Sequence, residues 1–499
     1  MGIIQKQSIN SSIFIFIGFA IGAFNIMVLF PKFLTQNELG LTRAMIDISL
    51  ILSALCTLGS LPVIYKFYPF YNDYLKGKKN DLPFITAIVC LTGFIIIVLS
   101  GIFFEDFIVR KLGKSPQFAA FFYTVYPYTF FLLMFSWLEA FGWSAQKTVI
   151  TNFLKETSVR IFNTVLILLY GFHVISIVTF INIFSFSFAI PALILLWVLI
   201  KSGKWRFSIT QVSSVTKRLK GRMISFGLFV FSGHFLSVLA RTNDTILIIG
   251  LRGLAETSVF TIATYMIAVM EIPQRSMNAI SVPVLAEAWK NKDLQKIKSI
   301  YTKSVANLLV IGLGIFGLIF LNSHNVTKFL GREYAQIELI VFVMGFAKVL
   351  DLGTGINSQI IGTSNFWRFD FYTSIVFTLF SIPLNFFLIK YFGLKGAAFS
   401  SLVSLTVYNS IRFAFLYRKF NLQPYTIKSL LSLVIAAVTY LLVYSIPRFD
   451  NLFADIFVRT SVFVFVFLPL VFVCKITPDL NKVVIDRTKT LLEKTGLRK

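Results

Sequence analysis

The 499-residue chain is 56% hydrophobic and 14% charged, with a mean hydropathy of +0.79, whereas soluble domains run at about 45–50% apolar and about 25% charged. Its formal net charge of +25 would point to nucleic acid in a soluble protein. In a chain this apolar the same excess reads as the Lys and Arg of cytoplasmic loops, so membrane lipids and not nucleic acid are the expected surroundings.

Apolar runs recur along the whole chain, and many exceed the roughly 18 residues a spanning helix needs. In order, the expected spans are 10–30, 44–65, 83–104, 119–141, 159–174, 176–199, 223–249, 258–283, 302–321, 335–355, 369–389, 395–415, 428–446 and 453–474. The fifth and sixth are divided only around Gly171 to Ile175, yet one merged span would be too long for a bilayer. The first span carries only Lys6 before it and lacks a small-residue cleavage site, so it reads as retained and not as a signal peptide. Lys6 stands where a myristoylation signal wants Ser or Thr.

Charge gives these fourteen spans a direction. Lys and Arg on the N-terminal side of the membrane total 32, those on the opposite side total 11, and Arg241, Arg275, Lys348 and Arg459 lie within spans. That asymmetry requires an even number of spans and places both termini in the cytoplasm. From Thr477 onward the tail has Pro478 in a first helical turn. Leu480, Val483, Val484, Leu491 and Leu492 fall on one side and basic residues on the other, an expected amphipathic helix at the cytoplasmic membrane surface.

An internal repeat organises the spans. Pro62-Val63-Ile64 with the later Lys76-Gly77-Lys78-Lys79-Asn80-Asp81-Leu82 is echoed by Pro283-Val284-Leu285 with Lys290-Asn291-Lys292-Asp293-Leu294, and Asn152-Phe153 by Asn365-Phe366. Offsets of a little over 210 residues correspond to six spans, so the halves share orientation and are related by an axis along the membrane normal. The expected fold is an all-α polytopic membrane protein of about 14 helices: a six-helix lobe over 1–222, a pseudo-symmetric six-helix lobe over 223–427, two further helices over 428–474, and the basic tail over 475–499.

Signatures of catalysis are lacking in the sequence. There is no phosphate-binding G-x-x-x-x-G-K-[ST] loop, Asp-x-Asp pair, H-E-x-x-H or nucleophile elbow. Cys56, Cys90 and Cys474 share no metal or disulfide spacing, and the histidines are His173, His234 and His324. No enzyme activity, metal or cofactor is therefore expected. His234, in mid-span, reads either as a proton relay or as a packing histidine.

Ionisable residues within spans cost about 2.5–3.5 kcal/mol each on insertion scales, so each needs a reason. Here they form opposite-sign neighbours one helical turn apart: Arg43/Asp47, Arg241/Asp244, Glu271/Arg275 and Lys348/Asp351. Glu271 falls near a midplane, with Pro273 expected to open the helix. Lys348, Asp351 and Glu139 fall near cytoplasmic ends, where snorkelling reduces the cost. Arg241, Arg275, Arg43 and Lys348 are the candidate substrate contacts, suited to phosphate by their charge and the arginine fork. Glu271, Asp244 and Asp47 are the candidates for proton or cation coupling. Gly18 and Gly22, with Asn25 a turn later, suggest close helix packing.

Three stretches carry a resemblance: Pro383-Leu384-Asn385-Phe386-Phe387-Leu388-Ile389 followed by Gly393-Leu394-Lys395-Gly396-Ala397-Ala398; Asn243-Asp244-Thr245-Ile246-Leu247-Ile248-Ile249-Gly250; and Gln359-Ile360-Ile361-Gly362-Thr363-Ser364-Asn365. They resemble polysaccharide biosynthesis flippases of the multidrug, oligosaccharidyl-lipid and polysaccharide exporter superfamily. The resemblance implies two lobes around an alternately open cavity in the bacterial inner membrane. It also implies a cargo of undecaprenyl-diphosphate-linked oligosaccharide and contact with other polysaccharide-assembly proteins. A drug exporter of the same superfamily would usually have twelve spans. A peptidoglycan-precursor flippase fits the span count equally. A polymerase or ligase would want a large periplasmic loop, and a structural protein would not need buried charge pairs.

Overall fold

A computed structural model describes residues 3–75, 80–104, 114–202 and 212–477. The tail helix expected over 475–499 falls almost wholly outside the described residues, as do Lys76 to Lys79 of the repeat. Every extended element among the described residues is helical. Among the described residues nine helices are long and apolar enough to cross a membrane, or up to eleven if two bent helix pairs each count as one span. Three other expected spans lie on helices that miss that standard. Val125–Ser144 is diluted by aromatic and polar side chains, the Thr148–Gly171 stretch is interrupted, and Leu394–Phe420 carries several polar groups. The division of the fifth and sixth spans is explicit: one helix ends at Gly171, and the next begins at Ile177 under a Ser176 cap.

The packing groups the chain into two compact units, 1–261 and 262–499. The first includes the whole Ser214–Leu251 helix. The boundary expected at 222 describes a repeat in sequence, whereas compact units describe packing, and a long helix joins whichever side holds its ends.

In the first unit the helix Ile3–Phe24 continues through a π-helical turn, Asn25–Leu29, to Phe33. Thr35 then caps Gln36–Cys56 in a capping box: its N–H donates to Glu38 Oε2 at 2.8 Å, and Thr35 Oγ1 accepts from the Glu38 N–H at 3.4 Å. The span expected as 44–65 starts earlier and breaks. Leu58 and Gly59 adopt positive φ (44° and 83°), and a second helix, Ser60–Leu75, takes Pro62 into its first turn, where the missing N–H has no bond to lose. Leu82–Phe103, Val125–Ser144 and a run through a second π-helical turn, Phe153–Ser158, to Gly171 complete the bundle with the segments Ile177–Phe184 and Ala189–Lys201. Gly18 packs as its spacing suggests. A Cβ there would lie 2.3 Å from the Glu156 carbonyl oxygen, so only glycine lets the first helix approach the second π-turn.

The second unit is built on Leu294–Leu330, 37 residues capped by Asp293, against which Ile337–Gly353, Ile427–Tyr444 and Leu452–Val473 pack. Its core includes Tyr301, Leu308, Leu352, Ile360, Leu416 and Phe463, all buried. Trp367–Phe392 and Leu394–Phe420 pair closely and join this core through the short Asn357–Thr363 helix.

Candidate functional site

In the first unit, Arg43 Nε meets Asp47 Oδ2 at 2.8 Å; the carboxylate is buried and the arginine partly exposed. The four-residue spacing thus forms the pair that was expected. Arg241 differs. It is exposed and enters no ion pair among the described residues, so the contact pair expected from its spacing to the half-buried Asp244 does not form. An exposed guanidinium is satisfied by water or by a bound anion and needs no neighbour. Glu139, expected to snorkel, is instead buried and held by Lys155 Nζ at 2.9 Å. The partner comes from the π-helical turn, which makes burial affordable without reaching water. Arg160 pairs with Glu156 at 2.6 Å, and its carbonyl accepts from Asn25 Nδ2 at 3.0 Å. Asn25 Oδ1 in turn accepts from Thr164 at 2.9 Å, so the first π-turn is hydrogen-bonded to the Val159–Gly171 helix that follows the second. His234 is exposed and makes no hydrogen bond among the described residues, so it is not a hydrogen-bonded packing histidine.

The second unit holds a denser arrangement. A bend of 45° separates Leu254–Ala268 from Glu271–Lys290. Pro273 was expected to open the helix after Glu271. The break instead precedes Glu271, and Pro273 sits harmlessly in the new first turn. Glu271 therefore stands at a helix N-terminus, where the unpaired N–H groups and the helix dipole favour its negative charge. Its Oε2 meets Arg275 Nη2 at 2.8 Å, and its Oε1 lies 3.8 Å from Lys348 Nζ. Arg275 is 72% exposed and Glu271 is 41% exposed.

Lys348 and Asp351 correct another expectation. Neither snorkels; each side chain is 14% exposed, and they meet at 2.9 Å inside the unit. Gln274 bridges them, accepting from Lys348 Nζ at 3.0 Å and donating to Asp351 Oδ2 at 3.2 Å. Asn409 donates to Asp351 Oδ1 at 3.0 Å and accepts from Thr354 and Asn357, each at 3.0 Å. Residues on four helical segments thus satisfy two charges, which makes burying them tolerable.

One turn further along, Arg412 is buried, ion-paired with Asp370 and stacked over the Tyr408 ring at 3.8 Å. Ser358 donates to Asp370 at 3.2 Å, and Tyr408 contacts Ser374 at 3.1 Å. Sequence reasoning missed this cluster. Arg412 and Asp370 lie at span ends, where Arg412 counted as a loop charge, and they are far apart in the chain. The signal that could have found them is a polar stripe, Asn409 and Arg412, on one face of an otherwise apolar helix.

The candidate residues thus form two sets, Arg43, Asp47, Asp244 and Arg241 in one unit and Glu271, Arg275, Lys348 and Asp351 in the other. In the second set, Glu271 and Arg275 are open to exchange partners with a solute or a proton, while Lys348 and Asp351 link them to the buried cluster. Among the described residues no group of three or more His, Cys, Asp or Glu side chains could hold a metal ion.

No family model matches this sequence, and no curated protein matches it. Solved structures do. The chain is similar to "Lipid II flippase MurJ, inward closed conformation", with a TM-score of 0.72 and 14% identity over 93% of this chain and 98% of that one. It is similar to an inward-facing multidrug resistance MATE family transporter of the MOP superfamily, with a TM-score of 0.59 and 15% identity over 80% and 93% of the two chains. A MOP superfamily transporter from Pyrococcus furiosus gives a TM-score of 0.54 and 13% identity over 82% and 94%. At such identities the likeness establishes the fold: the chain is an all-helical, multi-pass membrane protein with the fold shared by MurJ and the MATE transporters.

Proposed function

We propose that this chain is a flippase of the MOP superfamily that moves undecaprenyl-diphosphate-linked oligosaccharide across the bacterial inner membrane by alternating access, with both termini cytoplasmic. The observation that carries this reading is the pair of exposed guanidiniums within spans, Arg241 in the first unit and Arg275 in the second. Charge at that depth is stable only in a watered interior or against an anion. A guanidinium fork matches the oxygens of a diphosphate. Glu271, ion-paired yet accessible and 3.8 Å from Lys348, would exchange a proton or cation as the cargo anion takes or releases Arg275. An apolar groove of about 680 Å³ between Leu294–Leu330 and Leu452–Val473, lined by Ile311, Ile315, Phe463, Phe467 and Phe472 among others, would suit the lipid tail.

A peptidoglycan lipid precursor is the second reading, favoured by the extent of the likeness to a protein described as a lipid II flippase. Both cargoes present a diphosphate on a polyprenyl chain, so the same arginines serve either. Deleting the gene and identifying the lipid-linked glycan that accumulates on the cytoplasmic leaflet decides between them. Drug sensitivity with no accumulated glycan would replace both with a small-molecule exporter.

A further inference from the structure

Two helices of the second unit are broken, and both breaks open on the same side chains. The first break lies between Ala268 and Glu271, with the 45° bend already described. The second lies between Gly353 and Asn357, with a bend of 43°, where Gly355 takes a φ of 67°. Lys348 and Asp351 stand in the last turns before the second break, Thr354 lies within it, and Asn357 opens the helix beyond. Gln274 stands in the first turn after the first break. Together with Asn409 of the continuous Leu394–Phe420 helix, these five side chains form one hydrogen-bonded hub.

Broken spans are where membrane transporters seat coupling ions, because oxygens without helical partners gather there. In this hub the seat is already filled, by the ammonium of Lys348. Its Nζ donates to Asp351 Oδ2 at 2.9 Å and to Gln274 Oε1 at 3.0 Å, and Glu271 Oε1 stands 3.8 Å away on the open side. An ammonium has three N–H donors and no acceptor, so two are engaged and one is left for Glu271. Asp351 is fixed, its Oδ1 accepting from Asn409 and its Oδ2 also from Gln274, whereas Glu271 is accessible.

The charged groups facing Glu271 are Arg275 on its own helix and, on Ile337–Gly353, Lys348 with Asp351 behind it. These four carry two negative and two positive charges, and the neighbouring Asp370–Arg412 pair is balanced as well. A sodium ion on the same oxygens would meet the ammonium's charge at contact distance, and would have to take Asp351 and Gln274 away from it. A proton needs only one oxygen of Glu271. When a cargo anion takes Arg275, a proton on Glu271 restores the balance of charge while Lys348 stays with Asp351.

We infer that Lys348 is a tethered cation occupying the ion seat where the two broken helices meet, and that it makes Glu271 selective for protons over sodium. The filled seat stands on the hub's own hydrogen bonds. The coupled step rests on the flippase reading and names its driving ion. Lys348 is in this sense a specificity-determining residue: with its ammonium removed, Asp351, Gln274 and Asn409 would leave oxygens around a cavity of the right sign for a small monovalent cation.

Binding of radiolabelled sodium to the purified full-length protein in lipid nanodiscs, at constant ionic strength in choline chloride, tests the seat without any cargo. The wild type is expected to bind no sodium saturably. Lys348→Ala is expected to gain saturable binding, weakened about tenfold or more when Asp351→Asn is added, as befits loss of a charged ligand. Should Lys348→Ala fail to elute as a monodisperse protein, Lys348→Ser carries the same test and adds a hydroxyl oxygen to the seat. Saturable sodium binding by the wild type overturns the inference, and so does its absence from both variants. Flipping of lipid-linked oligosaccharide in proteoliposomes keeps the two ideas apart. Wild-type flipping is expected to follow an imposed pH gradient at equal sodium and to ignore a sodium gradient at equal pH. Flipping that follows sodium, or neither gradient, overturns the inference and leaves the flippase reading. No flipping by the wild type removes that reading, while the sodium-binding data still judge the seat.

Discussion

Two ion pairs in the second unit share one design in sequence, an acid followed four residues later by arginine, and one bond length, 2.8 Å. Their surroundings are opposite. Arg459 is 4% and Asp455 2% exposed, against 72% for Arg275 and 41% for Glu271. Arg459 also donates to the Val443 and Ile446 carbonyls at 3.1 and 2.9 Å, while Asp455 accepts from Asn325 at 2.7 Å and from the Phe449 N–H at 3.0 Å. That pair fastens the terminal hairpin to the long Leu294–Leu330 helix with every bond made. The Glu271–Arg275 pair has room for a new partner on either side. Spacing decides that a pair forms; the number of satisfied bonds around it decides whether it holds the fold or is free to exchange.

The largest effect expected from this contrast is at Asp455. Asp455→Ala leaves Arg459 buried without its carboxylate and should destabilise the protein by about 3–5 kcal/mol. Its unfolding in detergent would shift far below the wild type, and a loss under about 1 kcal/mol would mean the pair fastens nothing. Next comes Arg412→Gln, which strips Asp370 of its cation and leaves it the Ser358 hydroxyl. A loss of about 2–3 kcal/mol is expected by the same measurement, since hydrogen bonds to buried charges are worth roughly 1.5–3. Lys348→Met should fall between the two kinds of pair. Asp351 keeps Gln274 and Asn409, so about 1–2 kcal/mol of stability is lost, while flipping in proteoliposomes drops because Glu271 loses a neighbour. A stability loss as large as that of Asp455→Ala would place Lys348 with the fasteners.

At the open pair the order of effects reverses. Glu271→Gln should change stability by no more than about 0.5 kcal/mol, as for an exposed ion pair. Flipping should nonetheless lose its dependence on the ion gradient; gradient-driven flipping at the wild-type rate would remove Glu271 from coupling. Arg275→Gln should be equally mild for stability and raise the cargo concentration needed for half-maximal flipping.

How much of this was legible in the sequence varies with the distance between interacting groups. Arg43/Asp47, Glu271/Arg275 and Lys348/Asp351 were visible because helical periodicity places residues three or four apart on one face. Gly18 was visible for the same reason. Arg241 and Asp244 had the right spacing yet no ion pair formed on Arg241, because spacing permits contact and does not require it. Asp370 with Arg412, Glu139 with Lys155 and Asp455 with Asn325 join separate helices, and no local period reports such meetings. Depth misled as well: Lys348 and Asp351 looked like snorkelling end residues, but Gln274 and Asn409 from neighbouring helices satisfy them inside.

The sequence by itself determined that the chain is helical and membrane-embedded, since apolar runs of spanning length can satisfy their backbone only as helices in lipid. It also placed Arg241, Arg275, Lys348 and Arg459 within spans, though it left Arg412 among the loop charges. Only the tertiary structure decided what those charges do. Exposure and partner count arise where helices distant in sequence are brought together, and packing sets the solvation that makes one ion pair a clasp and another a place for a ligand.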